Sequence, residues 1–314
     1  MKNGIVVVGT VFVDVKGYPL GKYIPAGRNA GRVVQVHGGV SRNVAEDIAN
    51  VELRPTFLTV VDNDASGHAV VEKLKRHRVN TRYIRSAPGG MGTWLAVFDN
   101  SGDVVASISQ RPDPSILGDV LREQGDEIFS EADAIAVEAD LEETVLKPLL
   151  DLADRHGKPV YALVSNMTIA IERRDLLRRT SCFVCNGQEA GLLFSEDYTG
   201  IPPEELAGML RDRIRDGEIR RMVVTLGGDG AVYADREGHC GVCPAVPVDV
   251  VDTTGCGDAF FAGVCIGMTY GKSLAEAGQI GARLAASVIA TRENVCPRFL
   301  PAEFDLPSRE EGTV

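Results

Sequence analysis

The sequence predicts an α/β fold: a mainly parallel central sheet covered by helices on both faces, with a small β-sheet lid over one end. Short apolar runs alternate with helically spaced segments along most of the 314 residues, the signature of βαβ units. Those runs are apolar throughout rather than alternating, as strands buried on both faces are. Two stretches rich in Gly, Val and aromatic residues lack the crossover helix, and they supply the lid. No repeat, biased tract or long linker divides residues 1–314, so a single domain is expected.

Taken in order, "IVVV" within 4–9 is the first strand, too short for a signal-peptide core. Further strands are expected at 57–61, 134–138, 159–164, 181–185 and 221–226. Residues 11–36 have no helical period, and "GTWLAVFDNSGDVVASIS" reads as two alternating strands around "DNSGD". Lid insertions are therefore placed at about 11–36 and 92–112. In "HGGVSRNVAEDIANV", Val40, Val44, Ala45, Ile48 and Ala49 follow helical spacing, which puts Gly38 and Gly39 just before a helix start. In "VDTTGCGDAFFAGV", the run Ala259, Phe260, Phe261, Ala262, Val264, Cys265, Ile266 is apolar nearly all round, so that helix is buried.

The formal net charge of −11 argues against a nucleic-acid polymer or an anionic membrane as partner. No segment reaches the ~20 apolar residues of a membrane span, and a cytoplasmic location is expected. The seven cysteines include two C-x-x-C pairs, Cys182–Cys185 and Cys240–Cys243, a spacing that raises structural zinc. Strand geometry sends positions i and i+3 of the first pair to opposite faces. The second, in "HCGVC", reads as a freer turn between strands. Free buried thiols are the expectation for both.

The turn at 252–258 carries the chemistry. Gly255 and Gly257 bring bare backbone close to a ligand, and the N–H groups of Gly255, Cys256 and Gly257 open a helix whose dipole favours an anion. Asp258 stands at that end, free to take a proton. No Gly-Lys-Ser/Thr follows, so this is not a Walker A loop. "DTTGCGD" resembles the C-terminal signature of the ribokinase-like (PfkB) carbohydrate and nucleoside kinases, D-T-x-G-A-G-D, with Cys256 in place of Ala. "HGGVSRNVAEDIANV" resembles their N-terminal signature, with Val51-Glu52 replacing the usual Leu-Gly ending. The resemblance spans residues 4–300 and implies a ribokinase-like three-layer sandwich.

It also implies roles. Asp258 would be the base and Gly255, Cys256 and Gly257 the anion cradle, while Asp14, Gly38, Gly39, Asn43 and Glu138 would hold the acceptor's hydroxyls. Asn186 and Glu189 in "NGQEAG" match the family's N-x-x-E, which positions Mg²⁺ through water; the same letters fit a helix capping box. Thr225, Gly227 and Gly230 match a nucleotide-site T-x-G-x-x-G, giving ATP as donor. "ASVIATRENVCP" resembles the segment that closes over adenine and supplies carbonyls; with Asp252 and Thr254, Asn294 would then hold K⁺. A homodimer through the lid is the assembly implied.

Three functions follow. The first is a nucleoside kinase acting on a ribose 5′-hydroxyl, most like the pseudouridine kinases in "GGVSRNVAEDIA" and "ATRENVCP". Ala162, where an aspartate is common, and "SQRPD" at 109–113 depart from that branch. The second is a sugar kinase acting on ribose, fructose or a keto-sugar. The third is a silent ligand-binding regulator, against which Asp258, both glycines, Asn186 and Glu189 speak together.

Overall fold

The computed structural model describes residues 4–101, 104–216 and 219–307. The chain starts with β1 (Ile5–Val8), then β2 (Phe12–Pro19) and β3 (Gly31–Gly38), which run straight into α1 (Val40–Asn50). Next come β4 (Thr56–Leu58), β5 (Val60–Val61), α2 (Ala65–Arg76), β6 (Arg85–Ser86), β7 (Gly92–Phe98) and β8 (Val104–Gln110). The middle of the chain holds α3 (Ile116–Glu131), β9 (Ala134–Glu138), α4 (Glu143–His156), β10 (Val160–Leu163), α5 (Met167–Ile171) and α6 (Arg174–Leu177). Then follow β11 (Cys182–Asn186), α7 (Gly187–Phe194), α8 (Pro203–Asp216), β12 (Arg221–Thr225), β13 (Ala231–Asp235) and β14 (Cys240–Cys243). Two packed helices, α9 (Cys256–Thr269) and α10 (Leu274–Ile289), complete the order.

The main sheet runs β14-β13-β12-β11-β10-β9-β1-β4. Its pairs are parallel from β4 to β12, and β13 and β14 are antiparallel. The fully apolar β1 is explained by cover on both faces: Val6 and Val8 enter one hydrophobic core, Ile5 and Val7 the other. The first core is built with α3, α4 and α8, the second with α1, α9 and α10. These are the three layers expected. The lid is a four-stranded sheet, β3-β2-β7-β8, in which β2 and β7 run parallel and the other pairs antiparallel. The expected hairpin turn includes Gly102 and Asp103, which lie outside the described residues.

Two local expectations are corrected. The strand at 57–61 breaks at Thr59, whose carbonyl accepts from Arg85 N–H at 3.0 Å; Val60–Val61 leave the main sheet and pair with Arg85–Ser86. Asp14 lies inside lid strand β2, within the lid segment expected at 11–36. Cys240–Cys243 is strand β14 itself rather than a turn. In both C-x-x-C pairs the cysteines fall into opposite cores, so the sheet separates each pair of thiols. Glu52, in place of the resemblance's glycine, adopts φ 58° at the end of α1.

Candidate active site

The site lies beyond the carboxyl ends of the parallel strands, where open α/β sheets bind ligands. Its floor is the start of α9. Gly255 is the N-cap at φ 84°, and a Cβ there would meet the Asn294 carbonyl oxygen at 2.2 Å, so only glycine makes this turn. Among the described residues the Gly255 N–H group has no partner within the chain, whereas Cys256 N–H donates to the Thr253 carbonyl at 3.3 Å and Gly257 N–H is turned to the Cys256 sulfur. One of the three expected amides, that of Gly255, is thus wholly unspent, and the Gly257 amide meets only a weakly accepting thiol.

Asp258 stands in the first turn of α9, and the Asn43 side-chain amide, from α1, donates to its Oδ2 at 2.6 Å. Burial pushes the Asp258 carboxyl up to about 7; the Asn43 bond opposes this, and the charges of Glu138, Arg42 and Asp14 act on it as well. An acid poised near neutrality, facing other charged groups beside an unsatisfied amide, suits proton transfer. Asn43 itself is 4% exposed, and its Oδ1 has no partner among the described residues.

Asp14 reaches the same place from the lid. Its carboxyl is raised by burial, with Lys16 and Arg42 pulling the other way. Gly38 packs against it so closely that a Cβ would lie 2.4 Å from Asp14 Oδ2. Gly39, the N-cap of α1, has φ 98°. Asp14, Gly38, Gly39, Asn43 and Asp258 are therefore gathered around one cleft.

Glu138 is a correction. It is 1% exposed, and its oxygens accept from Thr10 N–H at 3.0 Å, the Thr10 hydroxyl, and Ser41 N–H at 3.0 Å. A carboxylate so engaged braces the β1 turn against the start of α1 instead of meeting an acceptor. The strand-end position was right; the side chain points inward.

Sequence reasoning also missed Arg42. It is fully buried, pairs with Glu46 at 2.7 Å and donates to the His37 carbonyl. Asn294 Nδ2 donates to that same carbonyl at 3.1 Å. Arg42 thus pins the end of β3 and fixes the Gly38–Gly39 turn. The signal available was an i,i+4 Arg–Glu pair on a helix with little polar face to spare.

The second half of the cleft lies at β11 and β12. Asn186 and Glu189 form a capping box at the start of α7: Asn186 N–H donates to Glu189 Oε2 at 2.8 Å and Glu189 N–H to Asn186 Oδ1 at 2.9 Å. Burial and the nearby Asp140 charge raise the Glu189 carboxyl. A cavity of about 540 Å³ is lined by Asn186, Tyr198, Pro202, Thr225, Gly227 and Asp229 among others. Gly230 turns behind it, where a Cβ would meet the Cys243 carbonyl oxygen at 2.2 Å. Between the two halves, Arg111, from "SQRPD", pairs with the buried Asp140 at 2.9 Å, tying the lid's end to the main sheet.

Near the floor, Thr254 N–H donates to Asp252 Oδ1 at 2.8 Å, and Asn294 lies across from Gly255. Cys296 N–H donates to Asp47 Oδ1 at 2.6 Å. The segment 294–296 is thereby fastened to β3 and α1.

A buried acid beside a free helix amide, a carboxylate reaching down from a lid and a neighbouring glycine-lined cavity define a phosphotransferase of the three-layer α/β class. The chain belongs to the pfkB family of carbohydrate kinases, which matches residues 2–297. It is 35% identical over 306 residues to a guanosine-inosine kinase of Exiguobacterium acetylicum, covering 96% of this chain and 99% of that protein. To the pseudouridine kinase of Escherichia coli K12 it is 27% identical over 277 residues, covering 88% and 87%. The sequence had pointed to the pseudouridine branch; the identity is greater to the purine nucleoside enzyme. Among solved structures, an Arabidopsis thaliana ribokinase complexed with ribose and ATP superposes with a TM-score of 0.81 at 19% identity, covering 97% of this chain and 99% of that one. The three-layer fold with its lid is thus the ribokinase fold, and the chain is a kinase.

Proposed function

We propose that the chain transfers the γ-phosphoryl group of ATP to the primary 5′-hydroxyl of a nucleoside. One observation carries this reading: Asp258, raised to about 7 and held by Asn43, heads a helix whose N-cap amide, that of Gly255, is unspent. In the reaction Asp258 takes the proton of the acceptor hydroxyl as that oxygen bonds to the γ-phosphorus and the bond to ADP breaks. The Gly255 and Gly257 N–H groups stabilise the charge on the migrating phosphoryl. Asp14, with bare backbone at Gly38 and Gly39 beside it, accepts from the ribose hydroxyls. ATP lies along Asn186 and Thr225–Gly227, and lid closure excludes water.

The donor set fits a divalent cation, because Glu189 engages Asn186 N–H through Oε2, leaves Oε1 to a ligand, and shares its surroundings with a second carboxylate, Asp140. Glu189 and Asn186 would hold Mg²⁺, which would neutralise β- and γ-phosphate charge when bound. Asp252, Thr254 and the Asn294 carbonyl likewise fit a K⁺ that steadies the turn. Among the described residues no helix is long and apolar enough to cross a membrane, and we place the reaction in the cytoplasm, where ATP is abundant. Lid strand β8 is exposed along its whole length and forms a sheet edge; a second copy pairing there would give the homodimer.

A purine nucleoside is favoured over pseudouridine by the higher identity to the guanosine-inosine kinase. The test is ADP release with guanosine, inosine, pseudouridine, ribose and fructose. Turnover of a nucleoside well above both sugars supports the reading. Turnover of sugars alone replaces it with a sugar kinase, and ligand binding without turnover replaces it with a silent regulator.

A further inference from the structure

The inward face of the lid carries a cation that the reaction above leaves unused. Along β2, Asp14, Lys16 and Tyr18 share one face by strand alternation. The parallel register sets Asp14 beside Trp94 and Lys16 beside Ala96 on β7. This face looks into the cleft: Asp14 packs on Gly38, and the Asp252 charge below acts on the Tyr18 hydroxyl. Tyr18 stacks on Phe98 with ring centres 4.8 Å apart, and Trp94 meets Phe98 edge-on at 6.4 Å. Lys16 is 8% exposed, yet among the described residues no hydrogen bond or ion pair reaches its ammonium.

A lysine ammonium carries three donors and accepts nothing. The Asp14 charge is near enough to act on it, but burying an ammonium without a hydrogen bond is costly, so a ligand atom that accepts is the partner this position calls for. The aromatic wall beside it calls for a flat ring. Ala96, the smallest side chain on the face, sits next to the lysine, and Asp14 two residues away marks where the ribose hydroxyls lie. We propose that Lys16 reads a ring carbonyl oxygen on the nucleobase of the acceptor, selecting oxo-bases such as hypoxanthine, guanine or uracil over adenine, whose exocyclic amino group is itself a donor. This rests on the nucleoside-kinase reading and narrows it to a base class. A carboxylated sugar would also satisfy the ammonium, but it would leave the aromatic wall without a partner.

Inosine and adenosine, compared as acceptors with ATP, test this, because the two differ at the oxo and amino position. In the unaltered protein kcat/KM for inosine is expected to exceed that for adenosine by ~10–100-fold, the range of a hydrogen bond from a charged donor. Lys16→Met should collapse the ratio towards one, chiefly by raising the inosine KM, while Lys16→Arg, which keeps a charged donor, should retain the preference. Equal losses on both nucleosides in Lys16→Met, or an unchanged ratio, would overturn the role of Lys16 while leaving the kinase reading standing. Preference for a carboxylated sugar over every nucleoside would overturn it in favour of that ligand class. A protein that turns over neither nucleosides nor sugars would remove the phosphotransfer reading, and this one with it.

Discussion

Asp258 is where single-residue chemistry is most exposed to test. Replacement by Asn keeps the shape and the Asn43 contact but removes the base, and kcat should fall ~10²–10⁴-fold with little change in ATP binding. The carboxyl's value of about 7 gives a pH dependence: kcat/KM should drop about tenfold per unit below it and level off above. Stability runs the other way. An unfolded aspartate ionises near ~4, so folding holds a proton between that value and about 7. The stabilising contribution is complete at low pH and lost as pH rises through the folded value. Melting curves of Asp258→Asn should therefore gain on the parent protein at pH 8 and not at pH 4; a loss at pH 8 would contradict the buried-acid account. Asp258 was legible in the sequence because its motif is contiguous. Glu138 was misread because a strand end names a position but not a side-chain direction. Lys16 shows the opposite limit: alternation already put it on Asp14's face, but only the β2–β7 register brings Trp94 beside them.

At the scale of elements, the buried helix α9 was readable from its unbroken apolar composition, and its partner was not. Gly263 on α9 faces Gly281 on α10, and a Cβ on Gly263 would lie 2.5 Å from the Gly281 backbone. The two helices meet at backbone distance, so Gly263→Val should force them apart and cost about 1–3 kcal/mol or more, measured as a lowered denaturation midpoint. Because α9 carries Asp258, activity should fall at temperatures where the protein is still folded. The mainly parallel sheet followed from βαβ alternation, whereas its strand order and the break at Thr59, where Val60–Val61 pair with Arg85–Ser86, depended on pairing partners distant in the chain. Such pairings leave no local periodicity to read.

For the molecule as a whole, the lid presents two unlike faces. The inner one carries Asp14 and the aromatic cluster. On the outer one, Val33 is 70%, Leu95 41% and Ile108 69% exposed, and strand pairing aligns Leu95 with Ile108. A second copy covering this face would remove apolar surface from water and satisfy the open edge of β8. Sedimentation at micromolar concentration should show a dimer, and Ile108→Lys should shift it to monomer; an unchanged distribution would place the contact elsewhere. The net charge of −11 spoke against polyanionic partners, but charge and composition carry no information about which lid face meets solvent.

Asn43 and Asp258 touch across 215 residues of sequence. On the proposed reading, a chain synthesised only as far as β14 has Asn43 without the acid it holds, and it should transfer no phosphoryl group. The same holds for any fragment cut between α1 and α9, which parts the two residues.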